Sequence, residues 1–277
     1  MNMPPTGSES HIDYLDQKLA EHDRDFLLTR SFVARQDRLF LSALHALRAE
    51  LRAIVGSVRD PVVALNKINW WQSEWQRLAE QRARHPVTQV LQQLLTEPPP
   101  PMADATLVLA QVCSDTSAWE SVADLIEFAR RLAVPFAALE AASVGAEQPS
   151  SGLQRCWQDI ELLAIVSDLG RWSRAGRRSL PLDLMRRHKV GQQFTGQTME
   201  SLETAFLDLI EQSLKMVGQD YPGCGPNHAH IYREVQVARL NWLGRNPGAR
   251  GELSAVRRLW AAWRGARFAR AGERNET

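Results

Sequence analysis

The sequence is poor in cysteine, carries almost no net charge and contains no long apolar run. Its three cysteines, Cys113, Cys156 and Cys224, lack the spacing of a metal site and leave one unpaired, which favours a reducing compartment. A formal net charge of +1 provides no global field for nucleic acid, so no nucleic-acid partner is expected. No segment approaches the roughly 20 apolar residues that cross a bilayer, and residues 1–5 lack the features of a secretory signal. These absences predict a cytoplasmic protein that is not integral to a membrane.

The motifs of several enzyme classes are also absent. No glycine-rich loop follows a predicted strand, no Gly-Lys-Ser/Thr sequence occurs, and no His-Glu-x-x-His lies on a predicted helix. His228 and His230 stand two residues apart where a turn meets a helix, so they could be metal ligands. Because no cysteine or acidic residue has matching spacing, solvated residues at a helix N-terminus are the favoured interpretation, and no metal site is predicted.

Helical periodicity runs along nearly the whole chain. With 277 residues, 44% of them hydrophobic and 23% charged, the chain can bury a sizeable core. Apolar residues recur every three or four positions, and no alternating strand pattern stands out. This periodicity predicts helices over 35–58, 61–84, 86–95, 103–113, 117–144, 153–169, 199–217, 229–244 and 252–270.

The connections and ends complete this organisation. Pro98–Pro101 cannot be helical and is expected to form a stiff exposed connection. The polar segment 145–151 could divide two domains, but the wide apolar stripes on both sides favour one all-α bundle over 11–270. Residues 1–10 are expected to be disordered and 271–277 to form a frayed tail.

Nine tryptophans are a second unusual feature of the composition. On the helix that begins at Pro61, Trp71 and Trp75 share an apolar stripe, whereas Trp70 is rotated by about 100° from it. The stripe is predicted to contain Val62, Leu65, Ile68, Trp71, Trp75 and Leu78. Such large side chains either fill a core or line a cavity, and core filling is the more common outcome.

Four stretches occur in order and with consistent spacing: Ser42–Val55, Lys67–Trp75 with its Trp-Trp-x-x-x-Trp pattern, His85-Pro-Val, and Val166–Pro181. Together they resemble the squalene/phytoene synthase family, from about residue 24 to about residue 217. The resemblance implies an all-α isoprenoid-synthase fold, a helical bundle around a central cavity. Active members of this family condense two prenyl diphosphates head to head.

That reaction needs metal ions, because ionising an allylic diphosphate leaves a multiply charged leaving group. The family holds Mg²⁺ with an Asp-Asp-x-x-Asp stretch on an early helix and an Asp-x-x-x-Asp stretch on a later one. Here Arg52-Ala-Ile-Val-Gly56 stands at the first stretch. At the second, Asp168 matches the first aspartate, Trp172 replaces the second, and Ala164 and Ser167 replace the family's asparagine and arginine. One carboxylate cannot hold a Mg²⁺ cluster, so the metal-dependent mechanism is predicted to be lost and no cofactor is expected.

Few acids therefore remain as candidate site residues. Glu50 and Asp168 are possible residual acids, and Glu161 lies about two turns before Asp168. Arg52 could pair with Asp168 across the cavity in place of the metal bridge, or bind a phosphate directly. Alternatively, Glu50 is a solvated or helix-pairing residue and Asp168 a helix-terminal acid that supports a loop.

The pattern Ala-Leu-Arg-Ala-Glu-Leu followed by Trp-Trp-x-x-x-Trp is most similar to a divergent branch that includes complex I assembly factors. That likeness implies a scaffold, chaperone-like or lipid-binding role. The favoured hypothesis is a non-catalytic protein that binds an isoprenoid, or a protein partner, at the membrane face. The competing hypothesis is an active prenyl transferase that neutralises a prenyl diphosphate with Arg52, Arg171, Arg174 and Arg177, with Mg²⁺ implied as its cofactor.

The C-terminal segment differs in charge from the rest of the chain. Residues 245–277 contain eight arginines and three glutamates, a net charge of +5, which leaves the remainder at −4. Its tryptophans and arginines form a candidate membrane-surface group: Trp260, Trp263, Arg257, Arg258, Arg264 and Arg267. This group predicts a protein at the periphery of the inner membrane. The alternative is a final bundle helix with a solvated basic face.

Overall fold

Helices dominate the computed structural model, which describes residues 7–114, 119–177, 180–190, 196–217, 228–246 and 253–273. Within these ranges no strand is formed. The helices in chain order are α1 (Gly7–His22), α2 (Arg24–Thr29), α3 (Arg38–Ser57), α4 (Pro61–Ala79), α5 (Pro86–Leu94), α6 (Ala103–Ser114), α7 (Val122–Ser143), α8 (Ser151–Arg174), α9 (Leu182–Arg187), α10 (Gly196–Val217), α11 (His228–Arg245) and α12 (Ala255–Glu273). A 3₁₀ turn, Arg30–Phe32, follows α2. The predicted all-α fold is confirmed.

Capping side chains fix where several helices begin. Asp60 accepts hydrogen bonds from two backbone N–H groups in the first turn of α4, where Pro61 needs no partner of its own. Ser121 and Asp124 form a reciprocal capping box, so α7 begins at Val122 and not at 117 as predicted.

The helix α8 lies against α3, α7, α10 and α11, and it positions the candidate site. It continues to Arg174, five residues beyond the predicted end at 169. Asp168 therefore lies within the helix, which corrects its interpretation as a helix-terminal acid. The helices α7 and α8 pack against each other across the 145–151 connection, and one apolar core includes residues from α1 to α11.

Several local expectations differ from the structure. The segment 1–10, expected to be disordered, overlaps α1 from Gly7, and 1–6 lie outside the described residues. The helix α12 extends to Glu273, past the predicted limit at 270, and 274–277 again lie outside. Val62 is 66% exposed and not part of the core, because it occupies the first turn of α4 beside the solvated cap. The helices α1, α2 and α9 were not predicted.

In the ranges described, none of the helices combines the length and apolarity needed to cross a membrane.

Candidate functional site

A polar cavity of about 220 Å³ lies where α3 and α8 meet the chain around α2 and the helices α11 and α12. Its walls are charged, and arginines outnumber carboxylates six to four: Arg24, Arg48, Arg52, Arg171, Arg239 and Arg258 against Glu21, Asp23, Asp25 and Asp168. The cavity implied by the resemblance is therefore present as a small space whose charged lining has an excess of arginines.

Arg52 joins two carboxylates of α8 at one wall of this cavity. Its Nη1 donates to Glu161 Oε2 at 2.9 Å, and its Nη2 donates to Asp168 Oδ2 at 2.8 Å. Glu161 and Asp168 are seven residues apart, so they share one face of α8. Burial raises the pKa of Asp168, but the charges of Arg52, Arg239 and Arg171 and the hydrogen bond from Arg52 together outweigh it, so the net direction is downward. The predicted pair between Arg52 and Asp168 is present, with Glu161 as its third member.

Arg48 lies one turn before Arg52 on α3 and extends the row of charged residues formed by Arg52, Glu161 and Asp168. Its Nε donates to Glu161, and its Nη1 donates to the Tyr232 hydroxyl at 3.1 Å. Tyr232 in turn donates to Asp23 at 2.8 Å. Burial raises the pKa of Asp23, yet hydrogen bonds from His45 and Tyr232 and the charge of Arg48 bring it to about 2. Asp23 is therefore ionised at neutral pH and balances Arg48.

Sequence reasoning found only part of this row. Arg48 and Arg52 are four residues apart, a spacing that places both on one face of α3 and could have been read from the sequence. Asp23 and Tyr232 carry no such signal, because 209 residues separate them and only the packing of α11 brings them together.

Asp25 closes the opposite side of the cavity. Arg258 Nη1 donates to its Oδ1 at 2.9 Å, and Gln236 Nε2 donates to its Oδ2 at 3.1 Å. Arg239 lies 3.6 Å from Asp25 and 4.0 Å from Asp168, between the two walls. The prediction that Arg258 faces a membrane is wrong, because the register of α12 turns this side chain inward toward Asp25.

The N–H groups of two arginines, Arg171 and Arg48, are suited to bind an anionic ligand. Among the described residues, no carboxylate lies within ion-pair distance of the Arg171 guanidinium, although its charge helps lower the pKa of Asp168. A Cβ atom at Gly56 would lie 2.7 Å from Arg171 Nε, so glycine leaves the room this side chain occupies. Arg48 is 3% exposed, and its Nη2 has no hydrogen-bond partner in the part of the chain that the structure describes. Buried N–H groups of this kind are normally satisfied, and oxyanions satisfy guanidinium groups well.

Three residues predicted for the site lie elsewhere. Glu50 accepts a hydrogen bond from the Tyr14 hydroxyl at 2.7 Å. Arg174 is exposed and donates to a carbonyl one turn earlier in its own helix. Arg177 is buried and donates to the carbonyl of Val58 at 2.8 Å, which ties the end of α8 to the end of α3. None of the three lines the cavity. Of the residues predicted to bind a ligand, Arg52, Asp168 and Arg171 line it.

The side chains at the family's metal motifs do not fit a Mg²⁺ cluster. The Asp168 carboxylate already accepts a hydrogen bond from Arg52, so a guanidinium occupies the space where a dication would bind. Trp172 is 1% exposed and packs with Trp119 and Phe128, whose ring centroids lie 6.3 Å from its own, so it fills the core. Over the described ranges, no group of three or more His, Cys, Asp or Glu side chains is arranged to hold a metal ion.

A second polar cluster lies in the core. His228 is buried, so its interpretation as a solvated residue is wrong; its Nε2 lies 3.0 Å from Thr29 Oγ1 and its ring stands edge-on to His45. Burial and the charge of His45 lower the pKa of His228 well below its usual value. Glu140 accepts a hydrogen bond from Trp157 Nε1 at 2.6 Å, and burial raises its pKa to about 7. These groups do not line the cavity.

The outer side of α12 carries two of the predicted tryptophans. Trp260 is 57% exposed and Trp263 is 43% exposed. The guanidinium of Arg264 lies over the Trp260 ring at 4.5 Å from its centroid, and Arg257 is exposed beside them. The side chain of Arg267 lies outside the described residues. The helix α12 packs against α11, and its outward side carries both the exposed tryptophans and the exposed Arg257.

Comparisons with known proteins agree with this architecture. A family model described as squalene/phytoene synthase matches residues 19–241. One similar solved structure is a dehydrosqualene synthase in complex with a ligand, with a TM-score of 0.63 and 15% sequence identity, covering 95% of this chain and 98% of that chain. At this identity the structural likeness shows the fold alone. No curated protein matches the chain.

Proposed function

The chain belongs to the squalene/phytoene synthase family, and we propose that it is a non-catalytic member that binds the diphosphate group of a prenyl diphosphate without metal ions. The observation that carries the proposal is the Arg52 guanidinium at the first metal motif, which is bonded to Asp168 at the second motif and to Glu161 two turns before it. A scaffold role at the membrane, which the divergent branch implies, would use the outer surface of α12 and is compatible with the same cavity.

The charge of the cavity supports an anionic ligand. Its arginines exceed its carboxylates, and the Arg171 guanidinium and Arg48 Nη2 can donate hydrogen bonds to an added oxyanion. Hydrogen bonds from guanidinium groups to phosphate oxygens are short and strong, and several can converge on one diphosphate. The arginines therefore supply the positive charge that metal ions supply in active members.

The size of the cavity argues against condensation of two prenyl chains. Pockets that bury a drug-sized ligand measure about 300–1,000 Å³ and are mostly apolar. The cavity here is about 220 Å³, and charged side chains dominate its lining. It accommodates a diphosphate group, whereas a prenyl chain would have to lie outside it. Trp172 packed against Trp119 also occupies space at the second metal motif.

Isothermal titration calorimetry tests the proposal with farnesyl diphosphate, inorganic pyrophosphate and the neutral alcohol farnesol, each in EDTA and in Mg²⁺. We expect both diphosphates to bind in EDTA and farnesol not to bind. Arg171→Ala should weaken binding by about 10-fold or more, since a charged hydrogen bond contributes roughly 1.5–3 kcal/mol. Arg174→Ala is the matched control from the same helix and should bind as the wild type, because Arg174 lies outside the cavity.

The competing hypothesis of an active prenyl transferase predicts different results. Squalene, phytoene or released pyrophosphate above background, in incubations with farnesyl or geranylgeranyl diphosphate, would overturn the non-catalytic assignment. Loss of diphosphate binding in EDTA would overturn the metal-free part of the proposal. Failure of both diphosphates to bind under either condition would remove the cavity as a ligand site.

A further inference from the structure

On α12, small side chains face the bundle and large apolar side chains face outward, which is the reverse of the usual arrangement on a surface helix. The side that faces α11 is made of small residues, with Ala261 and Ala262 fully buried. A Cβ atom at Gly265 would lie 3.2 Å from the backbone of Ile231, so α12 rests directly on the α11 backbone. This close contact fixes the rotation of α12 about its own axis.

That rotation points the large apolar side chains outward. We name these residues the tryptophan face: Val256, Leu259, Trp260 and Trp263, which are 77%, 45%, 57% and 43% exposed. Single exposed apolar residues are common on protein surfaces, but a contiguous group with two indoles on one helix marks an interaction site. Ala261 and Ala262 belong to the buried cluster that joins α12 to α11, and the two tryptophans lie outside that cluster.

Two arginines lie beside the tryptophan face. Arg257 is exposed, and Arg264 lies over the Trp260 ring. The segment 245–277 carries eight arginines and three glutamates, a net charge of +5 in a chain whose total is +1. A partner that suits both features presents an apolar interior beneath a negatively charged surface.

We propose that the tryptophan face binds the headgroup region of an anionic lipid bilayer. Indole rings favour the boundary between headgroups and acyl chains, and arginines beside them attract anionic headgroups. A protein partner would need a pocket for each indole and acidic residues around them, whereas an anionic bilayer provides both features without shape complementarity. The bilayer is therefore the partner that the charge and the exposed apolar area favour together.

The same helix connects this surface to the cavity. Arg258 projects from the inner side of α12 into the cavity wall, where it binds Asp25. A bilayer bound to the outer side would lie about one helix diameter, roughly 10 Å, from that wall. This step rests on the proposed function: a lipid diphosphate could place its headgroup near the arginines while its prenyl chain stays in the membrane.

Co-sedimentation with vesicles tests the surface directly. Wild-type protein is mixed with vesicles of phosphatidylcholine alone or of phosphatidylcholine and phosphatidylglycerol, without any diphosphate. We expect binding to the mixed vesicles that weakens as salt is raised. Trp260→Ser combined with Trp263→Ser should reduce partitioning at least 10-fold, and Arg257→Gln combined with Arg264→Gln should weaken the preference for anionic lipid. Trp70→Ser is the matched control, because Trp70 is 43% exposed on α4.

The outcomes separate this inference from the cavity proposal. Equal binding by the wild type and the Trp260/Trp263 variant, or an equal loss in the Trp70 variant, would overturn it. Absence of vesicle binding together with self-association that the same double variant prevents would assign the face to a protein contact, and would also overturn it. Circular dichroism checks that each variant is folded. Calorimetry with pyrophosphate in the absence of vesicles reports on the cavity alone, so either proposal can fail without the other.

Discussion

The guanidinium of Arg52 lies 2.8 Å from the carboxylate of Asp168 and joins α3 to α8. Because Glu161 accepts a second hydrogen bond from the same guanidinium, a covalently attached cation holds these two helices where the family's motifs hold Mg²⁺. A fixed cation cannot dissociate or be removed by a chelator. The fold itself therefore supplies the positive charge that balances Glu161 and Asp168.

Removing this cation should destabilise the protein. Arg52→Ala leaves Asp168 and the fully buried Glu161 with one partner fewer, and breaking a buried pair in this way costs about 3–5 kcal/mol. Arg52→Lys should recover only part of that loss, because an ammonium cannot bridge two carboxylates as the planar guanidinium does. Urea unfolding measures both effects.

Arg174→Ala controls for the loss of an arginine from the same region. Arg174 is exposed, so its substitution should change the free energy of unfolding by less than about 0.5 kcal/mol. A destabilisation below about 1 kcal/mol for Arg52→Ala would contradict the structural role assigned to Arg52.

The helices other than α1, α2 and α9 were predictable from short-range apolar patterns, and the Arg52–Asp168 pair from the positions of the family motifs. The direction of Arg258 was not, because the rotation of α12 depends on the contact of Gly265 with Ile231 and not on its apolar pattern. Asp23 was missed for a similar reason, since its partner Tyr232 lies far away in sequence. Local periodicity therefore located the helices, and tertiary contacts decided which charged side chains share the cavity.

Gly56→Ala should weaken diphosphate binding without destabilising the fold. The added methyl group would lie 2.7 Å from Arg171 Nε and would push this flexible side chain away from its position at the cavity. Alanine is a better helix former than glycine by roughly 1 kcal/mol, so the melting temperature should stay constant or rise. Calorimetry with pyrophosphate and a thermal melt measure the two effects.

Gly170→Ala provides the matched control for this experiment. Gly170 precedes Arg171 on α8, and a Cβ atom there meets nothing within 4 Å. The substitution should leave affinity for pyrophosphate unchanged. Equal affinity losses in both variants would show that Gly56 does not act through Arg171.

The buried carboxyl of Glu140 should make stability depend on pH. Burial raises its pKa to about 7, so the folded state holds a proton that the unfolded state releases at lower pH. The stabilisation is complete below pH 4.5 and is lost as the pH rises through about 7. Relative to Glu140→Gln, the wild type should lose on the order of 3 kcal/mol between pH 4.5 and 8.

Urea unfolding of both proteins at several pH values measures this difference, and the subtraction cancels titration of His45 and His228, which both proteins share. Glu147→Gln controls for the loss of one carboxylate, since Glu147 is exposed. A constant difference between the wild type and Glu140→Gln across this range would contradict the assignment.

Restoring a carboxylate at the second metal motif should destabilise the core and should not restore metal binding. Trp172 is 1% exposed between Trp119 and Phe128, and loss of a buried tryptophan costs about 3–5 kcal/mol before the burial of a charge is counted. Trp172→Asp should therefore lower the melting temperature far more than Trp172→Phe.

Addition of Arg52→Asp removes the hydrogen bond from Arg52 to Asp168 and tests whether positions 168 and 172 then share Mg²⁺. We expect the same melting temperature in Mg²⁺ and in EDTA, because Trp172 does not line the cavity that contains Asp168. A melting temperature that rises with Mg²⁺ in the double variant would show that the metal site needs only these two substitutions to return.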